Sequence, residues 1–254
     1  MTMEAFQQAM CDLVASPDLC MVLVQNPEQV LGRYDLSERD RRRLIEVVQQ
    51  PGMFVNCSLY RANRLSPIYN LMPRTCFLLG DALIDEATEF WKEFDESRLQ
   101  YNEEVDKFGD FLRQRIELGF VKNALLADVL EYELALNQFR FMRRLEVLSR
   151  VEANRASPDN SHHLALHPLI RVLLFKHEPR RLLELLDERM PPPYELAEGE
   201  FWLVLDGKGE EVETKLIDPG VGRLLKAIEE GTAPSLSADD IEALVEAGLT
   251  VART

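Results

Sequence analysis

The chain has 254 residues, 46% hydrophobic and 29% charged, with 44 acidic against 29 basic side chains and a formal net charge of −15. That length holds one or two domains at roughly 100–200 residues each, and two are expected; the composition is that of a globular protein rather than a disordered or membrane-embedded one. The longest apolar run, Leu19-Cys20-Met21-Val22-Leu23-Val24, falls far short of the ~18 residues a membrane span needs, and the first residues carry no secretory signal pattern, which predicts a cytoplasmic chain with no membrane role.

From residue 3 to about 151 apolar residues recur at three- and four-residue spacing, beginning with Phe6, Met10, Leu13 and Val14, and predict helix after helix. Ser16-Pro17 and Asn26-Pro27 each place a capping side chain before a proline at the first helical position, where its missing N–H costs nothing. Ser37-Glu38-Arg39-Asp40 resembles a capping box and opens a helix carrying Leu44, Val47 and Val48, which Pro51-Gly52 is expected to close. In residues 58–81, Pro73 cannot sit inside a helix without losing a hydrogen bond, so one helix should end near Leu71 and another run from Pro73 to Gly80. The longest helix is expected from about Val121 to Val151, with Leu125, Val129, Tyr132, Leu136, Phe139 and Leu145 on one face.

"NRASPDNSHH" (154–163) is polar and aperiodic and marks a domain boundary, giving a helical bundle over 1–155 and a smaller α+β domain over 160–254. There "LIRVLLFKHE" (169–178) reads as a strand buried on both faces, and Pro179 opens a helix to Met190. "PPPY" (191–194) imposes an extended connection. "EFWLVLDGKGEEVETKLID" (200–218) reads as a β-hairpin, and two capped short helices follow at 218–231 and 237–248. The expected fold is therefore mainly α, an N-terminal helical bundle followed by a winged-helix-like α+β domain.

Motifs that would carry chemistry are scarce. The four cysteines (Cys11, Cys20, Cys57, Cys76) form no Cys-x-x-Cys pair and read as small buried side chains in a reducing compartment. His162, His163, His167 and His177 cluster in sequence, but Pro168 interrupts the helical spacing that would bring His163 and His167 together, so a structural or surface role is expected and no metal. The Gly-x-Gly of "DGKG" (206–209) is followed by a charged strand and not by a helix, which makes it a hairpin turn. No nucleophile elbow, His-Glu-x-x-His or P-loop occurs. Carboxylate pairs Glu103/Glu104 and Asp239/Asp240 fit the positive ends of helix dipoles, and Arg39, Arg41, Arg42 and Arg43 lie among acids on a solvated face. Residues 195–254 hold 14 acidic against 5 basic residues, a balance of −9 that would repel a phosphate backbone.

Arg61 and Asn63 should be buried only if paired, and Glu131 and Glu133, flanking Tyr132, are the expected partners. Tyr60, Arg61, Asn63, Tyr69, Tyr132 and Glu133 thus read as an interhelical brace or partner surface with no catalytic role.

The order Tyr60-Arg61-x-Asn63, Leu71-x-Pro73, Leu79-Gly80-Asp81, Phe90-Trp91, "VDKFGDFL" (105–112) and "LLADVLEYELA" (125–135), with "LHPLIRVLLF" and the hairpin–helix tail, resembles a bacterial helical family often described as DNA-binding. The likeness covers residues ~58–254, and Pro67 departs from the family pattern. Residues 22–48 also resemble a small helical module of some dioxygenase accessory subunits. Members of the family are partner subunits of multinuclear non-haem iron-dependent oxidases in the making of ribosomal modified peptides, including the methanobactin and 3-thiaglutamate pathways.

The resemblance implies a non-catalytic subunit, paired as a heterodimer with such an oxidase, that recruits the leader of a precursor peptide whose cysteine is oxidised. Iron would belong to the oxidase, and this chain would carry no cofactor. The tail resembles the recognition element that captures a leader as an added strand on a hairpin edge. The matching positions are Val212, Thr214 and Leu216 on the strand, Leu224, Leu225 and Ile228 on the following helix, and Trp202 beside them. Two competing readings are a DNA-binding regulator of a biosynthetic operon, which the acidic tail opposes, and an autonomous metalloenzyme built on the histidines.

Overall fold

The computed structural model describes residues 3–94, 101–142, 163–192, 196–233 and 236–253. The protein is mainly helical with a small set of antiparallel strands in its C-terminal part. It divides into two compact units, residues 1–73 with 81–112, and residues 74–80 with 113–254.

The first unit contains α1 (Met3–Ala15), α2 (Pro17–Gln25), α3 (Pro27–Leu31), α4 (Glu38–Val48) and α5 (Pro51–Leu71). After α6 (Pro73–Leu79), which belongs to the second unit from Arg74 onward, it continues with α7 (Ala82–Glu93) and the first part of α8 (Tyr101–Glu117). Leu13, Leu23, Leu31, Leu44 and Cys57 meet in one core, and Phe90, Phe94, Phe108 and Phe111 stack in another with neighbouring centroids 5.2–6.3 Å apart. The helix starts are as expected at two positions. Ser16 accepts the Leu19 N–H, and Ser37 both accepts the Asp40 N–H and donates its hydroxyl to the Asp40 carboxylate. Asn26 occupies its cap position without a side-chain hydrogen bond.

Three points differ from the sequence reading. Pro51-Gly52 opens α5 and does not close α4, because a proline at the first helical position starts a helix as readily as it ends one. α5, at 21 residues, is the longest described helix and continues through Pro67. The helix expected from Val121 begins only at Leu126: Asn123 turns the chain, accepting the Leu125 N–H on its side chain and the Leu126 N–H on its carbonyl. This helix, α9, ends at Phe141, and residues 143–151 lie outside the described ones.

In the second unit β1 (His163–Leu166) leads into β2 (Ile170–His177), then α10 (Pro179–Asp187), the hairpin β3 (Glu198–Asp206) and β4 (Glu213–Ile217), α11 (Pro219–Glu230), α12 (Ala238–Glu246) and β5 (Thr250–Arg253). β1 and β5 form a two-stranded antiparallel ladder, and the other strands form an antiparallel sheet in the order β2-β3-β4. Strand alternation sends Leu203 and Leu205 to one face, with Val129, Tyr132 and Phe139 of α9 and Leu182 and Leu186 of α10. It sends Trp202 and Val204 to the other, with Leu225 and Ile228 of α11. β2 is covered on both faces only over its first half, since Leu174 is 45% exposed. Because α9 is spent on the sheet, it belongs with the strands, and the compact units do not follow the bundle-then-α+β boundary at 155–160.

Candidate functional site

β4 is an edge strand. Its inner side pairs with β3 in the register Trp202↔Ile217 to Asp206↔Glu213, and among the described residues no strand pairs with its outer side. On the face shared with α10 a groove of about 240 Å³ runs beside it. Leu203 and Tyr132 form its floor, Pro179 and Leu183 one wall, and Thr214 and Leu216 of β4 the other. Leu216 is 55% exposed although apolar, whereas its register partner Leu203 is 3% exposed. The Tyr132 hydroxyl lies 3.3 Å from that of Thr214, tying α9 to the edge strand.

The predicted strand and helix positions do not make one surface. Thr214 and Leu216 line the groove and Val212 packs toward the same face. Trp202, Leu225 and Ile228 lie on the opposite face, each at most 5% exposed, with half-buried Leu224 beside them. Trp202, Leu225 and Ile228 are interior contacts between α11 and the sheet, and the helical wall of the groove beside β4 comes from α10. The cause is the two-residue alternation of β3, which points Trp202 away from Leu203.

Glu133 on α9 is 1% exposed and serves α6: it accepts the backbone N–H groups of Arg74 at 2.9 Å and Thr75 at 2.8 Å. The Arg74 guanidinium lies 3.6 Å from Glu133 and 2.7 Å from Asp187 at the end of α10, and over the Tyr132 ring at 5.5 Å. Burial pushes the Glu133 carboxyl up from its ordinary value, opposed by the N–H groups of Thr75 and Arg74 and the Arg74 charge. Burial lowers the Arg74 value, but the hydrogen bond and charge of Asp187, together with the Glu133 and Tyr132 charges, leave it raised. Glu131 is held by Arg113. The cations that serve Glu131 and Glu133 are thus Arg113 and Arg74, neither expected from sequence. Tyr60 and Arg61 are half-buried, Asn63 and Tyr69 exposed, all on α5 of the first unit, while Tyr132 and Glu133 belong to the second.

The buried cation of α5 is Arg64, 9% exposed, which donates to Glu104 at 2.8 Å and to the Phe94 carbonyl at 3.2 Å. Trp91 Nε1 donates to the same Glu104 oxygen at 3.0 Å. Glu104, expected only to favour a helix dipole, is therefore an interior acceptor. Its sequence signal was Arg64 itself, seven residues after Cys57 and four before Ile68, on the apolar stripe of the helix.

His167 Nδ1 accepts the Leu169 N–H at 3.1 Å and shapes the turn between β1 and β2. His177 Nδ1 lies 3.1 Å from the Asp128 carboxylate, which also accepts the Lys176 N–H at 2.9 Å. His162 lies outside the described residues, and among those described no three His, Cys, Asp or Glu side chains are placed to hold a metal. Cys57 and Cys76 are buried as expected, but Cys20 is half-buried and Cys11 exposed. No helix among the described residues is long and apolar enough to cross a membrane. Comparison of the chain with protein-family models and with curated proteins gives no match.

Proposed function

We propose that this chain is a non-catalytic partner subunit that captures an extended peptide along β4 and presents it to an iron-dependent oxidase. The observation that carries the reading is an edge strand whose exposed Leu216 faces a groove walled by α10. An added strand gains main-chain hydrogen bonds along such an edge, and alternate side chains find pockets in the groove. The class of partner rests on the ordered motifs between Tyr60 and Ala135 and on the hairpin–helix tail. On that basis the peptide is the leader of a ribosomal precursor, the modified residue a cysteine of its core, as in methanobactin or 3-thiaglutamate pathways, and iron belongs to the oxidase.

The test is coexpression with a multinuclear non-haem iron oxidase and precursor peptide encoded beside it. Copurification of the oxidase, cysteine oxidation seen by mass spectrometry only when both proteins are present, and its loss in Leu216→Asp support the reading. Modification by the oxidase alone at an unchanged rate would refute it, and a salt-dependent gel shift on the operon promoter would favour a regulator instead.

A further inference from the structure

A second cavity in the same unit, of about 510 Å³, opens beside the ends of β2 and β3 and the start of α9, and does not share a lining residue with the β4 groove. Its apolar lining is Ile116, Val121, Ala124 and Ala127. Lys122, Lys176, His177 and Glu198 are its ionisable lining residues. Neither lysine ammonium meets a carboxylate among the described residues, although the chain carries 44 acidic side chains against 29 basic ones. Two lysines against one glutamate in the lining of one cleft reverse the charge balance of so acidic a protein locally. His177 is held from behind: Asp128, 5% exposed, takes its Nδ1, which leaves Nε2 as the ring nitrogen that can serve the cleft.

The sign and number of charges choose the ligand. Two ammonium groups against the one carboxylate of Glu198 leave the lining side chains cationic by one before Asp128, behind His177, is counted. So small an excess suits a single negative charge better than a phosphate dianion, and the apolar part of the lining favours a charge carried on a hydrocarbon group.

We propose that this cleft binds a monocarboxylate borne on an apolar group, with the carboxylate between Lys122, Lys176 and His177 and its hydrocarbon part against Ile116 and Val121. The carboxylate can belong to a free organic acid or to the C-terminus of a peptide ending in an apolar residue. The site is independent of the β4 groove and of any oxidase.

Calorimetric titration of the full chain with hexanoate, hexanamide and hexylamine tests it, with the His177 ring signals followed by NMR. Saturable one-to-one binding of hexanoate that moves those signals, and that weakens at least tenfold in the surface variant Lys122→Ala/Lys176→Ala, is expected. N-acetyl-Leu-Leu with a free C-terminus, compared with its amide, tells a peptide terminus from a free acid; either carboxylate binding alone suffices. Absence of saturable binding of both carboxylates, equal affinity in the double variant, or equal affinity for hexylamine overturns the proposal.

Discussion

Gly222 lies so close to Trp202 that a β-carbon on it would stand 2.2 Å from the indole Cγ and 2.5 Å from its Cβ. The contact brings α11 down on the sheet, where Trp202 is 5% exposed and donates its Nε1–H to Glu200, itself bound by Arg223. Gly222→Ala must therefore move the helix or the indole, since the near atoms include the ring's root and not a flexible tip. The expected cost is about 1–3 kcal/mol or more, seen as a lower urea midpoint with altered Trp emission. A neutral or stabilising result would place the helix farther from the sheet.

Arg64 and Glu104 are both buried and share Glu104 Oε1 with Trp91. Removing one ion strands the other, so Arg64→Ala should cost about 3–5 kcal/mol. Arg64→Met/Glu104→Met, which removes both charges while keeping volume, should recover most of that loss. If the double variant were as unstable as the single one, packing and not the stranded charge would be the cause.

The pH dependence of Glu133 has a definite sign. The unfolded chain releases that proton near the ordinary 4.5, whereas burial makes the folded chain hold it to higher pH. Above pH 4.5 the folded state then binds more protons than the unfolded one, so this group's contribution to stability falls as pH rises and levels off once the native carboxyl ionises. The stability of the wild type relative to Glu133→Gln should fall as pH rises above 4.5, measured by urea unfolding of both proteins. A relative gain with rising pH would contradict the direction.

Leu216 is 55% exposed, so Leu216→Asp should leave thermal stability within about 0.5 kcal/mol of wild type while abolishing peptide capture. A large loss of stability would make Leu216 a structural residue and not a docking one.

Burial pushes the thiols of Cys76 and of Cys20 up to about 12, the latter also through Cys57, 4.0 Å away. Alkylation of the native protein at mildly alkaline pH should therefore label exposed Cys11 first, with Cys76 reacting only on unfolding. Peptide mapping after timed labelling checks the order; rapid labelling of Cys76 would mean that α6 opens readily.

Local chemistry was legible wherever a few neighbouring residues decide the outcome. Ser37 with Asp40, Ser237 with Asp240 and Asp218 with Gly220 all make the capping bonds their spacing announces, and Pro73 starts a new helix as its missing N–H requires. The hairpin between Asp206 and Glu213 and the helices on either side follow from alternation and from turn residues. Pro51 was ambiguous by its nature, since the same ring that ends one helix can begin another.

By itself, then, the sequence determined the helices, β2 and the hairpin with many of their ends, because these depend on dihedral preference and hydrogen bonds within a few residues, whereas β1 and β5, which pair only with each other, were not read from it. Only the tertiary structure decided that α9 joins the sheet, that Trp202, Leu225 and Ile228 are interior while Leu216 is open, and that Glu133 answers Arg74. Those outcomes depend on which faces meet across 59 residues from Arg74 to Glu133, or 23 from Trp202 to Leu225, and no local pattern encodes which apolar face is left without a partner.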